Sequence, residues 1–391
     1  MTLKRDTATT PTKPSSEKDS SSYRRIVVKA GTSLLTGGTD RLDLDVMASL
    51  VEQIARLQGR DEVEMMLVTS GAVAAGRHVL GGPREGKNLP FRQVLAAVGQ
   101  GHLMHTYQQL FSSHNIPVAQ ALLSRRDLSD RLGYLNVRNT LMGLLEQRVV
   151  PIINENDVVA VEELAGEIFG DNDSLSAMVA NLVDANLLVL LGEVEGLYTS
   201  DPNLEPDARL VPRVERLNDE IETMGGPSWA DRGRGGMATK LEAARLATAS
   251  GVNVVIASGF EQDVLTRLAN GDSIGTLFPA TSSKMESRKR WMLSGLSTRG
   301  EILVDSGAAN ALKNQNRSLL PAGVTEVTGS FERGDIIAVL GLNRAQIACG
   351  ITNYGSLDLA RIKGAHSDKI AEILGHQYGV EVVHRNNMVI S

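Results

Sequence analysis

Apolar residues along this chain fall into short unbroken runs, each followed by a turn and then by a stretch with helical spacing. "RIVVK" is such a run, and Gly31 breaks it. "LDLDVMASLVEQIARLQG" repeats its apolar positions with the period of a helix and closes on a glycine, a common helix end. "VEMMLVT" is a second buried run, and "SGAVAAGRHVLG" starts a helix directly after it. "FRQVLAAVGQGHLMHTYQQLFSSH" predicts a longer helix despite two glycines. "VPIIN", "LLVLL" and "NVVIAS" are further short apolar strands, the last preceded by the helix "MATKLEAARLATASG". Strands alternating with helices predict an α/β domain, a mainly parallel sheet sandwiched by helices. Unbroken apolar strands fit a sheet covered on both faces.

This pattern holds over residues 23–282. The polar, basic "TSSKMESRKR" then marks a connector, assigned to 283–297. Beyond it "GEILVD", "VTEVTG", "DIIAVLG" and "AQIACGITN" are short strands separated by Gly, Asn and Arg, which predicts a small β-rich domain over 298–391 with a C-terminal extension. The first 22 residues are rich in Ser, Thr, Pro and Lys and cannot bury apolar surface, so they read as a disordered tail. They lack the apolar centre of a signal peptide, and Asp6, Glu17 and Asp19 argue against a transit peptide.

A length of 391 residues suggests two or three domains, and 42% apolar residues suffice for a substantial core. The net charge of −6 is not that of a non-specific nucleic-acid binder. From residue 299 onward nine Lys and Arg balance nine Asp and Glu, so the C-terminal part lacks a basic RNA-binding footprint. Cys349 is the single cysteine; it excludes an intrachain disulfide, fits a reducing cytoplasm and reads as a small buried core residue. No run of about 18 apolar residues predicts a membrane span.

Two familiar motifs fail. "GGPREGKN" approaches a phosphate-binding loop through Gly81, Gly86 and Lys87, but Asn88 stands where a hydroxyl should reach magnesium and no strand precedes it. "DNDSL" begins like a calcium loop, but Leu175 replaces the next ligand. His102 and His105 share a helix face without a partner motif, so no protein-held metal site is read.

The remaining polar clusters fall where ligands bind in open parallel sheets, beyond the carboxyl ends of strands. "VVKAGTS" places Lys29 there, with Gly31, Thr32 and Ser33 in the turn. "VTSGAVAAG" places Ser70 and Gly71 at a helix N-terminus, whose free N–H groups attract anions. "IINENDVV" places Asn154, Glu155, Asn156 and Asp157 after a strand, and "FGDNDSLSA" places Asp171, Asn172 and Asp173 before a helix. Each cluster alone has a structural reading as a solvated strand end, a helix cap or a turn. Four of them at βα junctions point to a small-molecule site. In "GRGGMATK", Gly233, Gly235 and Gly236 permit close backbone approach, Met237 begins a helix, and Lys240 in its first turn opposes the dipole. An anion such as a phosphate resolves that conflict, and Lys29 and Lys240 would then bracket a transferring phosphoryl group. At an effective dielectric of 20, one such charge at about 4 Å is worth roughly 4 kcal/mol, enough for a hundredfold or more in rate.

"VVKAGTSLLTGG", "VTSGAVAAGR", "LAAVGQ", "VPIINENDVVA", "GDNDSLSA", "GLYTSDP", "GGMATKLEAA" and "ESRKRW" resemble the amino-acid kinase family, in its glutamate-phosphorylating branch. The C-terminal part resembles a PUA domain through "RGEILVDSGAANAL" and "SLLPAGVTEVTGSFERGDI". The resemblance implies ATP-dependent phosphorylation of the γ-carboxylate of L-glutamate, the first step of proline biosynthesis, with Mg2+ carried by the nucleotide. It implies that Lys29 and Lys240 stabilise the phosphoryl group, that Asp173 holds both, and that Ser70, Gly71, Asn154, Asp157 and Asn172 bind glutamate. It implies a nucleotide site of Gly31, Gly192, Glu193, Arg234, Gly235, Gly236, Met237, Ala238, Thr239 and Lys240. It further implies feedback inhibition by proline and a homo-oligomer, dimer or tetramer. The chain departs from the family where Gly192 and Glu193 replace Thr-Asp, where Arg234 replaces threonine, and where Ala30 replaces a larger aliphatic residue. Arg234 is expected to face solvent. The competing readings are a kinase for aspartate or N-acetylglutamate, and a degenerate kinase acting as an RNA-binding regulator.

Overall fold

The structure is a computed structural model that describes residues 23–81, 89–159, 172–225, 236–283 and 298–390. The N-terminal tail, the Gly86–Lys87–Asn88 motif, Asp171, Gly233, Arg234, Gly235 and nearly all of the connector lie outside the described residues.

The first sheet contains β1 (Arg25–Ala30), β2 (Glu64–Val68), β3 (Val118–Leu123), β4 (Val150–Glu155), β5 (Leu187–Gly192), β6 (Asn253–Ser258) and β7 (Thr276–Phe278). Their order across the sheet is β3-β4-β2-β1-β5-β6-β7. All neighbours run parallel except β6 and β7. The order turns about β1, with β2, β4 and β3 on one side and β5 to β7 on the other. The crevice at the carboxyl ends on either side of such a central strand is where parallel sheets take ligands.

The helices that bear on the site are α1 (Thr32–Thr36), α2 (Leu44–Gln58), α3 (Ala72–Leu80), α4 (Leu89–Ser112), α5 (Arg125–Ser129), α6 (Arg131–Glu146), α7 (Asn172–Leu182) and the helix Met237–Ala249. Side chains alternate between the two faces of a strand. Val28 and Ala30 of β1 enter one core with Ile54 of α2 and Leu103, Tyr107 and Phe111 of α4. Val27 enters the opposite core with Leu175, Ala177 and Val179 of α7 and Leu241, Ala243 and Ala244 of the helix 237–249. The period of two therefore sends Lys29 to the face covered by α7 and the helix 237–249.

α2 begins where the Asp43 side chain accepts from the backbone N–H groups of Asp45 and Val46, and ends at Gly59. α3 and α4 cross in backbone contact. A Cβ on Gly99 would stand 1.8 Å from the Ala72 carbonyl oxygen, and one on Gly76 1.9 Å from that of Leu95. The two glycines that interrupt these helical patterns are what let the helices approach.

The second sheet has the order β12-β11-β10-β8-β9, with β8 (Gly300–Val304), β9 (Val324–Gly329), β10 (Ile336–Leu340), β11 (Gln346–Ile351) and β12 (Met388–Ile390). It is mainly antiparallel, with β8 and β10 parallel. The two sheets meet across α6. Its Leu135 packs with Ile336, Cys349, Ile351 and Val389, and Arg333 Nη2 donates to Asn136 Oδ1 at 2.7 Å. Cys349 is buried in this junction. No described helix is long and apolar enough to cross a membrane.

The sequence pattern locates five of the seven strands of the first sheet, all but β3 and β7, and it misses α5, α6 and the helices Ser306–Gln315, Ser356–Ile362 and Ile370–Leu374 of the second part. β3 is a half-exposed edge strand, so "VAQALL" carries polar positions that blur its run. One correction concerns α7: Asn172 and Asp173 form its first turn and do not precede it. An acid there is favoured by the helix dipole.

The glycine crossing gives a direct test. Gly99→Ala is expected to lower the thermal midpoint by roughly 5 °C or more, since overpacking typically costs about 1–3 kcal/mol. An unchanged midpoint would mean that the helices do not touch there.

Candidate active site

Lys29, the last but one residue of β1, is 2% exposed, and its backbone lies opposite Val68 of β2 and Leu190 of β5. Its ammonium reaches Asp173 Oδ1 at 2.6 Å. Asp173 is fully buried. Its other oxygen, Oδ2, accepts from Lys240 Nζ at 3.1 Å and from the Thr239 hydroxyl at 2.8 Å. Lys240 is 5% exposed and stands in the first turn of the helix 237–249, whose N-cap is Gly236. Gly192, at the end of β5, leaves room for its stem: a Cβ there would lie 3.3 Å from Lys240 Cε.

Burial by itself pushes the Asp173 carboxyl up. The charges of Lys240 and Lys29, with hydrogen bonds from Lys29 and Thr239, outweigh burial and hold it well below the usual carboxylate range. Asp173 is thus ionised near neutral pH. The three side chains together carry one net positive charge at the N-terminal ends of two helices, an arrangement that favours an anion.

Beside the triad lies a network of amides. Asn172 Nδ2 donates to the Thr69 carbonyl at 2.8 Å, to Ser70 Oγ at 2.9 Å and to Asn154 Oδ1 at 2.9 Å. Asn154 Oδ1 also accepts from the Glu155 N–H at 2.9 Å, and Asn154 Nδ2 donates to Gln100 Oε1 at 2.8 Å. Tyr107 on α4 closes the far side, its hydroxyl 2.8 Å from Thr69 Oγ1. Asn172 Oδ1 is buried and has no hydrogen-bond partner. Gly71 follows Ser70 with φ +100°, the left-handed conformation that lets the chain turn from β2 into α3.

A cavity of about 890 Å³ opens over both groups. Of the residues read from sequence it is lined by Lys29, Gly31, Ser70, Gly71, Asn154, Asp157, Asn172, Gly192, Glu193, Gly236, Met237 and Lys240. Asp173 lies beneath its floor. Ala238 and Thr239 do not line it; Ala238 is exposed, and Thr239 is turned to Asp173. Arg234 and Gly235 fall outside the described residues. His102 and His105 are exposed on α4. The sequence reading assigned nothing to Arg92, Asp201 or Asn203, which line the cavity, or to Gln100. "GLYTSDP" and "LAAVGQ" were the signals for Asp201 and Gln100, and both stand in the resemblance without a role. Among the described residues no three His, Cys, Asp or Glu side chains gather as a metal cage.

The profile of the amino acid kinase family matches residues 24–258, and the chain belongs to this family. The PUA domain matches residues 300–374. Within the family, several near-full-length relatives carry one name. The glutamate 5-kinase of Dehalococcoides mccartyi is 53% identical over 368 residues, 94% of this chain and 98% of the relative. That of Herpetosiphon aurantiacus is 50% identical over 367 residues, again 94% and 98%. That of Shewanella halifaxensis is 47% identical over 369 residues, with the same coverage.

Asp173→Asn leaves two buried ammoniums without this carboxylate. Breaking a buried pair costs about 3–5 kcal/mol, so the thermal midpoint should fall by roughly 5–10 °C near neutral pH. The Asp173 pKa is depressed on folding, so its stabilisation is present above the unfolded value of about 3.9 and is lost as pH falls through the lower folded one. The gap between wild type and variant should hold from about pH 6 to 9 and narrow below about pH 4. A gap that changes between pH 6 and 9 would contradict this.

Proposed function

We propose that this chain transfers the γ-phosphoryl group of ATP to the γ-carboxylate of L-glutamate, giving L-glutamyl 5-phosphate and ADP, the first step of proline biosynthesis. The observation that carries the reading is the Lys29–Asp173–Lys240 cluster at the floor of the cavity, beside the Ser70–Asn154–Asn172 network. The near-full-length relatives named glutamate 5-kinase support the choice of substrate.

A carboxylate is already a nucleophile, so the reaction needs no strong general base. Its oxygen attacks the γ-phosphorus while the bond to the ADP oxygen breaks, and positioning and charge neutralisation carry the step. Lys29 and Lys240 supply that charge from the two sides of Asp173. Asn172 Oδ1, a buried acceptor with no partner, suits the α-ammonium of an amino acid. Leaving it unmatched costs about 1–3 kcal/mol, which a bound ammonium would relieve. Ser70, Gly71, Asn154 and Asp157 complete the acceptor side. Gly31, Gly192, Glu193 and the segment from Arg234 to Lys240 take the nucleotide. Mg2+ enters on the nucleotide phosphates, the usual way for an ion that keeps most of its waters.

The same reading carries a cytoplasmic homo-oligomer inhibited by L-proline. The balanced charge of the C-terminal part disfavours an RNA-binding regulator, and the names of the relatives disfavour kinases for aspartate or N-acetylglutamate.

Trapping the acyl phosphate as a hydroxamate tests the proposal. Hydroxamate should form with ATP and L-glutamate and not with L-aspartate or N-acetyl-L-glutamate. Formation with one of those acceptors instead, or none at all from folded protein, would overturn it. Lys240→Ala should lower turnover by about a hundredfold or more; unchanged turnover would remove Lys240 from its role.

A further inference from the structure

We propose that Gln100 is a positioning residue for the amino-acid acceptor, acting through Asn154 on Asn172. This rests on the functional reading above and adds to it a residue outside the cavity.

Gln100 follows Gly99, the point where the α4 backbone touches α3. That contact fixes where its side chain starts. Its Oε1 accepts from Asn154 Nδ2 at 2.8 Å. Asn154 is 2% exposed, and this is the bond that satisfies its amide nitrogen. Its oxygen is then held toward two donors, the Glu155 N–H and Asn172 Nδ2. Polarity is set along the whole chain of amides. The Thr69 carbonyl only accepts, so Asn172 must turn its nitrogen to it. Asn154 must then meet Asn172 with its oxygen and Gln100 with its nitrogen. The outcome is that Asn172 Oδ1, with no protein partner, is the atom left for the ligand.

Without the Gln100 acceptor, Asn154 Nδ2 becomes a buried donor with nothing to bond. Asn154 can recover a partner only by rotating, and rotation breaks its bond to Asn172. The acceptor presented to the substrate ammonium then loses its fixed direction. Among the described residues the hydrogen bonds of this network run to Thr69, Ser70 and Glu155, on the acceptor side, so the effect is expected on the acceptor. Gln100 Nε2 is itself buried without a hydrogen-bond partner. Replacing that NH2 by oxygen therefore removes no bond, which makes glutamate the conservative substitute: its carbonyl oxygen still accepts from Asn154.

The experiment is steady-state kinetics by hydroxamate trapping, with L-glutamate and MgATP varied in turn, on wild type, Gln100→Met and Gln100→Glu. Gln100→Met keeps the length of the side chain and loses the acceptor. It should raise KM for L-glutamate about tenfold while KM for MgATP stays within about twofold of wild type and the protein stays folded at the assay temperature. Gln100→Glu should restore most of the L-glutamate KM. An unchanged L-glutamate KM in Gln100→Met, an equal rise in both KM values, or no recovery in Gln100→Glu would overturn the positioning role and leave the functional reading standing. A wild type that forms no hydroxamate with L-glutamate would overturn both.

Discussion

One buried carboxylate between two ammonium groups organises this molecule. Asp173 cannot be removed from water alone without great cost, and neither can Lys29 or Lys240. Their burial is affordable only because each oxygen of Asp173 meets a cation, Lys29 at 2.6 Å and Lys240 at 3.1 Å. The pairing sets two ammonium groups on a single carboxylate. An apolar replacement is often as stable as a buried pair. Two cations under a cavity, at two helix N-termini, make sense as provision for an anion that comes and goes.

Everything that positions the triad follows from sheet geometry. Alternation along β1 sends Val28 and Ala30 to one core and Val27 to the other, and Lys29 follows Val27. The helices that cover that second face, α7 and the helix 237–249, present their first turns at the carboxyl end of the sheet, and those turns hold Asp173 and Lys240. The amide network is anchored from the opposite layer. α4 touches α3 through Gly99 and Gly76, and from that crossing Gln100 reaches Asn154 and Tyr107 reaches Thr69. α4 thus anchors the amide network from one face, and α7 joins it to the triad from the other, since Asn172 and Asp173 stand side by side in its first turn.

Much of this could be read in the sequence because it is local. Unbroken apolar runs identify the buried parallel strands, and polar clusters directly after them mark the ends at which ligands bind. Lys29, Ser70, Asn154 and Asn172 were visible for that reason. Gln100 was not, because it sits mid-helix, where a glutamine reads as a solvated position; only the crossing of α3 and α4 turns it inward. The placement of Asn172 and Asp173 inside α7 was also misread, since the pattern "DND" looks like a cap and the first turn tolerates the same residues. Edge strand β3 and helices α5 and α6 escaped because their polar faces dilute the apolar period. Gly99 looked like an interruption in a helix, and its purpose appears only when α4 is laid against α3.

The central claim is that Asp173 holds Lys29 and Lys240 for a transferring phosphoryl group. It is tested most directly by the affinity of MgADP–aluminium fluoride, a mimic of that group in flight, measured with L-glutamate present in wild type and in Asp173→Asn. Wild type should bind the mimic about a hundredfold or more tightly than MgADP alone, and the variant should lose most of that gain while keeping its affinity for MgADP. Equal gains in the two proteins would contradict the account.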